Sequence, residues 1–373
     1  MSYFLAFAGF ATLIILHEAG HFAAAKAVGM RVERFSLFFP PLIWRWRPKG
    51  SETEYAVGAI PLGGYVKITG MNPAEDLTPE VAARAYYRQK VWKRIVVIGA
   101  GPAVNIVLAF LILWVLLVSE GMIKAGLAVA EVQSNTPAVS ALRAGDRILS
   151  IDGVRGYQPG LNDAQITARA EALRTQINSR RCRGRLVGGC VAASPARITV
   201  LRDGRRLTLE VRPRYDAEAK RMLLGFAFGE RVDVSAGEAA SASVTYMWEV
   251  TTRTVGSIVR LFYDSKARKD VSGVVGSYEV TRQRFEFDTG QAFNVLAIIS
   301  LSLAVINLFP FLPLDGGHIF WALAEKLRGR PIPFSVMEKV GVVGFMLVLF
   351  LFFVGLQNDI GRITSGRGFG GGP

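Results

Sequence analysis

The stretch LIILHEAGHFAAAK, residues 13–26, places His17, Glu18 and His21 inside a run that is otherwise apolar enough for a lipid bilayer. Ionisable side chains at bilayer depth are costly and usually mark a functional site. On a helix, residues four positions apart lie on the same face, so His17 and His21 can ligate one metal ion. Two histidines at this spacing with an adjacent glutamate are typical of zinc sites in which the glutamate acts as a base. The stretch therefore predicts part of a zinc site with Glu18 as its base; the alternative is a set of interhelical hydrogen bonds.

The composition predicts a membrane protein that also carries a soluble domain. The chain has 373 residues, of which 51% are hydrophobic and 20% charged, and its net charge is +14. This is too apolar for an ordinary soluble protein and too charged for a protein made only of membrane spans. Many basic residues flank apolar runs rather than clustering with aromatic residues. That distribution predicts contact with a lipid bilayer and no binding to nucleic acid.

Four apolar runs are long enough to be transmembrane helices. They cover residues 3–25, 95–118, 293–312 and 340–356, all with approximate ends. The alternative for the first run is a cleaved signal peptide, but no basic residue precedes it, and a signal peptide has no use for the HEAGH motif. We therefore predict a polytopic α-helical membrane protein with four spans.

The basic residues predict the orientation of these spans. Lysines and arginines are frequent between the first and second spans and between the third and fourth, and short basic loops stay in the cytoplasm. Both termini and the long segment 119–290 are therefore predicted outside the cytoplasm. His17 lies fourteen residues after Tyr3, or about 21 Å along a helix, whereas the hydrocarbon core is about 30 Å thick. The metal site is therefore predicted within the membrane.

Residues 1–118 are predicted to form the first half of the membrane core, and residues 291–373 the second half. Between the first two spans, ETEYAVGAIPLGGYVKITG at about 52–70 contains two short alternating runs around residues 61–64. Such runs around a Pro- and Gly-containing turn predict a β-hairpin. Exposed strand edges do not face lipid, so we expect this membrane-associated hairpin to be buried against the helices or to line a wet cavity.

The segment 119–215 is predicted to form a β-rich domain outside the cytoplasm. GLAVAEV and RAGDRILSIDGV contain strands, and ARITVLRDGRRLTLEV predicts two strands around an Asp-Gly turn. Together they resemble a PDZ domain with an insertion at about 156–195. The insertion holds Cys182 and Cys190, which can close one small loop as a disulfide if this segment faces an oxidising compartment; the less favoured alternative is a pair of zinc ligands. Residues 216–290 are predicted as a linker with an amphipathic helix at about 241–263, which lies on the membrane surface or packs on the domain.

A third zinc ligand is expected in NLFPFLPLDGGH, residues 307–318, at the end of the third span. Asp315 precedes two glycines, which allow a sharp turn and a close approach to another helix. A carboxylate with two histidines leaves a fourth position open, as in catalytic zinc sites. The rival ligand is His318, and the alternative role for Asp315 is a helix cap.

The order of these motifs resembles bacterial site-2 intramembrane zinc metalloproteases, in particular the regulator-of-sigma-E protease group. HEAGH, ETEYAVGAIPLGGYVKITGM, VWKRIVVIGAGPAVNIVLAF and SLAVINLFPFLPLDGGH follow one another over nearly the whole chain. The resemblance implies that zinc is held by His17, His21 and Asp315, with Glu18 as the catalytic base. It also implies that the substrate backbone is held by Asn307 and by the hairpin residues Gly63, Gly64 and Tyr65.

By the same resemblance, the substrate is a membrane protein with one transmembrane segment, such as an anti-sigma factor or a remnant signal peptide. Cleavage would follow an earlier cut by another protease, in the inner membrane of a bacterium, with the PDZ domain as a size filter or as a module that binds a C-terminus. The sequence departs from the family at Pro313, which comes one place late, and at Val274, where relatives often have proline. The rival hypothesis is a membrane receptor that binds metal without catalysis. The sequence makes no prediction of the oligomeric state.

Overall fold

The protein divides into two compact units. A computed structural model describes residues 1–72, 75–133, 136–217, 219–261 and 263–364. Among the described residues, one unit contains Met1–Leu116 and 240–364, and the other contains Leu117–Ala239. We call them the membrane unit and the inserted unit. The two halves of the membrane unit are therefore separated in sequence by the whole of the inserted unit.

The described residues contain four helices that are long and apolar enough to cross a membrane. They are α1, α3, α8 and most of α10. In chain order the helices are α1 (Ser2–Ala27), α2 (Pro79–Ala82), α3 (Val91–Glu120), α4 (Asp163–Asn178), α5 (Ala236–Leu261), α6 (Ser265–Asp270), α7 (Val274–Phe287), α8 (Thr289–Asn307), α9 (Asp315–Arg328) and α10 (Phe334–Thr364). The four predicted spans are confirmed as helices, and the amphipathic helix predicted at 241–263 corresponds to α5.

The third span ends earlier than predicted, and this changes the setting of Asp315. Helix α8 ends at Asn307 rather than at 312, and Asp315 begins the separate helix α9. Pro310 and Pro313 lack the N–H that a continuing helix needs, so the chain leaves the helix between these elements. A Cβ at Gly316 would lie 2.1 Å from the carbonyl oxygen of Leu308. Glycine is therefore required for the first turn of α9 to pack against the preceding loop.

The predicted hairpin within 52–70 is wrong, because its two runs do not pair with each other. Both belong to strand β2 (Glu54–Ile68) and pair antiparallel with β1 (Val32–Trp46). Leu37, for example, pairs with Val57 on one side and with Gly64 on the other. The register gives the order 64–68, 32–37, 54–58, 42–46 across the sheet. Strand β1 was not predicted from the sequence, because Pro40 and Pro41 interrupt its alternating pattern.

Close helix packing and ion pairs hold α1, α3 and α9 together around the histidines. A Cβ at Gly20 of α1 would lie 2.7 Å from the carbonyl oxygen of Ala100 in α3. Arg94 of α3 is only 8% exposed and pairs with Glu325 of α9, with 2.8 Å between Nη2 and Oε1. At the end of α1, hydrogen bonds from Arg84 and then from Lys26 lower the pKa of Glu52 to about 2. This carboxylate is therefore ionised at neutral pH and holds the loop to the helix.

The inserted unit is built on an antiparallel sheet with the strand order β10-β3-β4-β6-β7, and β5 pairs with β4. The predicted hairpin around Asp203-Gly204 is confirmed as β6 paired with β7. Strands β8 and β9 pair separately. The strands are β3 (Met122–Val132), β4 (Arg147–Ile151), β5 (Val154–Arg155), β6 (Ala196–Arg202), β7 (Arg205–Val211), β8 (Arg214–Asp216), β9 (Arg221–Leu223) and β10 (Phe226–Val232). Strand β10 lies beyond residue 215, where the sequence analysis placed the end of the domain.

The segment 156–195, predicted as an insertion, contains helix α4 and the cysteine loop. Asn162 caps α4 by accepting a hydrogen bond from the Gln165 N–H, and the Gln165 side chain accepts one from the Asn162 N–H. This capping box fixes the start of the helix. Leu173 of α4 is fully buried in the core of the unit. Cys182 and Cys190 form a disulfide, with their Cα atoms 5.8 Å apart.

A buried ion pair in the inserted unit gives a stability prediction. The Asp146 carboxylate is 1% exposed and accepts hydrogen bonds from Arg202 Nε at 2.7 Å and from the Arg143 N–H at 2.8 Å. Removing one partner of a buried pair leaves the other charge uncompensated. We expect Asp146→Ala to lower the free energy of unfolding of this unit by about 3–5 kcal/mol, measured by hydrogen exchange of the β6 amides in the whole protein. Glu210→Ala, which removes an exposed partner of Arg197, is the control and should cost less than about 1 kcal/mol; equal effects would contradict the prediction.

Candidate metal centre

The structure brings three of the predicted site residues together in a buried cluster. His17 and His21 come from adjacent turns of α1, and Asp315 comes from the start of α9. His17 Nε2 lies 3.3 Å from His21 Nε2. Asp315 Oδ2 lies 3.4 Å from His17 Nε2 and 3.3 Å from His21 Nε2. Each histidine is 7% exposed, so three potential ligand atoms converge where water has little access.

The ring of His21 is oriented by the backbone of α3. Its Nδ1 lies 2.8 Å from the carbonyl oxygen of Val97, which can only accept a hydrogen bond. The proton of a neutral imidazole is therefore on Nδ1, and Nε2 keeps its lone pair facing the cluster. A histidine that binds metal commonly donates its other N–H in this way. Gly101 makes room for the ring, because a Cβ there would lie 2.2 Å from His21 Nε2.

The ring of His17 contacts a buried amide on α3. Its Nδ1 lies 3.3 Å from Asn105 Nδ2, and Asn105 is 0% exposed. The backbone carbonyl of Asn105 accepts a hydrogen bond of 2.9 Å from Ser300 Oγ on α8. Asn105 therefore lies where α1, α3 and α8 approach one another.

The carboxylate of Asp315 is placed as a ligand would be and does not cap its helix. The N-cap of α9 is Leu314, without a side-chain cap, and Asp315 occupies the first turn. The positive end of the helix dipole favours a carboxylate there. Asp315 Oδ2 is buried, and no hydrogen-bond donor is assigned to it. Among the described residues, the cluster with metal-binding geometry contains Asp315 and does not contain His318.

The spacing of the three ligand atoms fits a zinc ion. Zinc bonds to nitrogen and oxygen are about 2.0–2.2 Å long, and tetrahedral geometry then separates neighbouring ligand atoms by about 3.3–3.6 Å. The observed separations of 3.3 Å to 3.4 Å agree with this value. A buried carboxylate oxygen without an assigned donor is also what a metal ligand requires. Two imidazoles and one carboxylate leave the fourth position open, as in catalytic sites.

Glu18 lies beside this cluster and against the β-sheet of the membrane unit. It is within electrostatic range of His17, His21 and Asp315. A Cβ at Gly64, the first residue of segment 64–68, would lie 2.9 Å from Glu18 Cγ, so the backbone at Gly64 lies against this side chain. The partners of this segment all lie in β1, which places it at one edge of the sheet. A carboxylate that can accept a proton thus lies between three ligand atoms and a strand edge.

The other predicted substrate-binding residues, Gly63, Tyr65 and Asn307, lie outside the cluster of ligand atoms. A Cβ at Gly63 would lie 2.7 Å from the ring of Phe39, and the ring of Tyr65 stacks on the same phenylalanine at 6.5 Å. Tyr65 Oη accepts a hydrogen bond of 3.2 Å from Arg34. Asn307 is the last residue of α8 and is partly buried. These residues line the sheet and the loop before Asp315, and none belongs to the cluster of ligand atoms.

Three contacts at the site were not predicted from the sequence, and all come from α3. They are the Val97 carbonyl, the side chain of Asn105 and the space left by Gly101. The segment GAGPAVN did carry a signal, because glycines on an apolar helix indicate close packing and an asparagine within a span is costly.

Comparison with known proteins identifies the family of the chain. The family model for peptidase family M50 matches residues 5–351. A protein from Nostoc sp. strain PCC 7120 is 31% identical over 371 residues, covering 98% of this chain and 97% of the relative. One from Rhizobium meliloti strain 1021 is 28% identical and covers 93% of each chain, and one from Clostridium acetobutylicum is 28% identical, covering 96% of this chain and 98% of the relative. All three carry the name "Putative zinc metalloprotease".

The match extends over nearly the whole chain, through α1 and α9, which carry the clustered residues. The four apolar helices fit a membrane protein, as members of this family are. The chain therefore belongs to peptidase family M50, the site-2 protease family, and is a membrane zinc metalloprotease.

Proposed function

We propose that the protein hydrolyses a peptide bond within the transmembrane segment of a single-span membrane protein. In this proposal His17, His21 and Asp315 hold the zinc ion, and Glu18 is the catalytic base. The observation that carries it is the convergence of three buried ligand atoms at separations of 3.3 Å to 3.4 Å. Two of them belong to α1, a helix apolar enough to cross a membrane.

In the proposed hydrolysis, the metal and the side chain of Glu18 have different roles. When bound, zinc supplies a Lewis acid that polarises a carbonyl group and makes water more acidic. Glu18 accepts the proton of the attacking water and passes it to the departing amine. The Val97 carbonyl fixes the ring of His21 through its Nδ1–H, so that its lone pair faces the cluster. The buried position of both histidines limits access of bulk water to the site.

A helical substrate must unwind before it is cleaved, because its peptide bonds are hidden in its own hydrogen bonds. We propose that the unwound segment adds as a strand to the edge formed by residues 64–68. The backbone at Gly64, on this edge, lies against Glu18, so a strand paired with the edge would lie beside the base. Gly63, Gly64 and Tyr65 would supply backbone pairing, and Asn307 would bind the substrate backbone from the end of α8.

The inserted unit is proposed to act as a PDZ domain that restricts access to the site. Its antiparallel sheet, the short turn of helix at Pro137–Ser140 and helix α4 support this assignment. Acting as a filter, it would exclude substrates with large outer domains, so that an earlier cut by another protease is needed. The substrate class would then be an anti-sigma factor or a remnant signal peptide, as in regulated intramembrane proteolysis. Strand β10, at one edge of the sheet, offers the alternative of binding a C-terminus by strand addition.

The proposed location is the inner membrane of a bacterial cell, with both termini and the inserted unit outside the cytoplasm. The basic residues between α1 and α3 and between α8 and α10 support this orientation.

Metal analysis of purified variants tests the ligand assignment. His17→Ala, His21→Ala and Asp315→Ala are each expected to reduce bound zinc from about one ion per chain to well below that value, because each removes one of three protein ligands. His318→Ala is the matched control and is expected to retain zinc, since His318 lies outside the cluster. Zinc retained by Asp315→Ala together with zinc lost from His318→Ala would overturn the assignment.

A further inference from the structure

The amide of Asn105 is a buried polar group that the proposed chemistry does not yet use. Asn105 is 0% exposed. In the part of the chain that the structure describes, its side chain has one hydrogen-bonding contact: Nδ2 lies 3.3 Å from His17 Nδ1. The other amide atom, Oδ1, is buried with no hydrogen-bond partner assigned. A buried amide inside an apolar helix is costly. Its place beside a proposed metal ligand indicates a function.

The protonation pattern of His17 decides which amide atom faces it. If Nε2 is to bind a metal, it keeps its lone pair, and the ring proton is then on Nδ1. An Nδ1–H needs an acceptor, which the amide NH₂ group cannot be. The oxygen and nitrogen of an amide are told apart by their hydrogen bonds, and rotating the group exchanges their positions. In either orientation one of the two amide atoms has no partner. Because the Nδ1–H of His17 needs an acceptor, the orientation that places Oδ1 against His17 is favoured.

We propose that Asn105 is a positioning residue for zinc: its Oδ1 accepts a hydrogen bond from His17 Nδ1–H and so holds the tautomer and the ring orientation of this ligand. The inference rests on the proposed assignment of His17 as a ligand. It gives both histidines a support on α3, since the Val97 carbonyl acts on His21 in the same way. Both supports lie on one helix, so the position of α3 fixes both rings.

Zinc affinity measured with the full-length protein tests the proposal, by competition with a chelator in detergent. Asn105→Leu has a similar volume but no acceptor, and its zinc dissociation constant is expected to rise about 10- to 100-fold, as for other groups that support a ligand. Asn105→Asp keeps an acceptor in the same place and is expected to bind zinc far more tightly than the leucine variant. The link from Ser300 Oγ goes to the backbone carbonyl, so neither substitution removes it.

Three results would overturn the proposal. They are wild-type affinity in Asn105→Leu, loss of affinity in Asn105→Asp equal to that in the leucine variant, or, where the leucine variant does not fold, weakened affinity in a folded Asn105→Asp protein. His17→Ala separates this failure from failure of the proposed function. If His17→Ala loses zinc while Asn105→Leu binds it normally, only the role of Asn105 is wrong. If His17→Ala retains zinc, the ligand assignment itself is wrong.

Discussion

Glu18→Gln is expected to lower the rate of peptide-bond cleavage by about 10²- to 10⁴-fold, the usual contribution of a general base, while zinc stays bound. Glutamine has the size of glutamate but cannot accept the proton of water at neutral pH. The three proposed ligand atoms belong to other residues, so the metal content should equal that of the wild-type protein. Cleavage of a single-span model substrate in detergent measures the rate, and elemental analysis of the same sample measures zinc.

The combination of the two measurements separates the possible roles of Glu18. A loss of activity accompanied by a loss of zinc would make Glu18 a group that supports the metal rather than the base. Cleavage at the wild-type rate would contradict the proposed mechanism, and it would agree with a site that binds metal without catalysis through this residue. The variant also has a practical use, because a chain that binds substrate without cleaving it can be purified together with its substrate.

Gly101→Ala is expected to reduce cleavage by at least about 10²-fold, the effect of misplacing a reacting group by about 1 Å. The added Cβ would lie 2.2 Å from His21 Nε2, closer than any real contact, so the ring must move. Because His21 Nδ1 is tied to the Val97 carbonyl, a shift of the ring breaks either that hydrogen bond or the metal geometry. The zinc dissociation constant, measured by chelator competition, should therefore rise with the loss of activity.

Gly99→Ala is the matched control for this substitution. Gly99 is on the same helix two residues earlier, but a Cβ there would meet only Ile319 Cδ1, at 3.9 Å. Alanine is the better helix former by about 1 kcal/mol, so this variant should be at least as stable as the wild type and fully active. Equal loss of activity in both variants would show that α3 tolerates no side chain in this region, and it would remove the argument for a specific contact with His21.

The site residues that lie on one helix at a regular spacing could be predicted from the sequence. His17 and His21 are four residues apart, and helix geometry alone puts them on one face. Asp315 is almost three hundred residues away, so nothing local connects it with α1, and its selection over His318 depended partly on family resemblance. The contacts from Val97 and Gly101 involve a backbone carbonyl and an absent side chain. Neither leaves a residue-type signal of its own, since both depend on how α1 and α3 pack.

The elements whose positions follow from hydrophobicity were predicted well. Those that depend on pairing between strands distant in sequence were predicted poorly. The four apolar helices follow from length and composition. The sheet of the membrane unit does not, because β1 lies between the two runs of β2 and a local turn signal at residues 61–64 suggested a hairpin that does not form. Helix α4 was not predicted, although the sequence contains the residues of its capping box, Asn162 and Gln165. Such a polar helix has a weak apolar period, and burial of Leu173 against the sheet stabilises it.

The division of the membrane unit into two chain segments gives the metal a thermodynamic role as well as a chemical one. Two of the proposed ligands precede the inserted unit and the third follows it, so one ion would cross-link segments that no covalent bond joins directly. Any species that binds only the assembled state stabilises it by an amount that grows with the logarithm of its free concentration. Zinc supply would then control how much of the newly made chain brings α9 against α1.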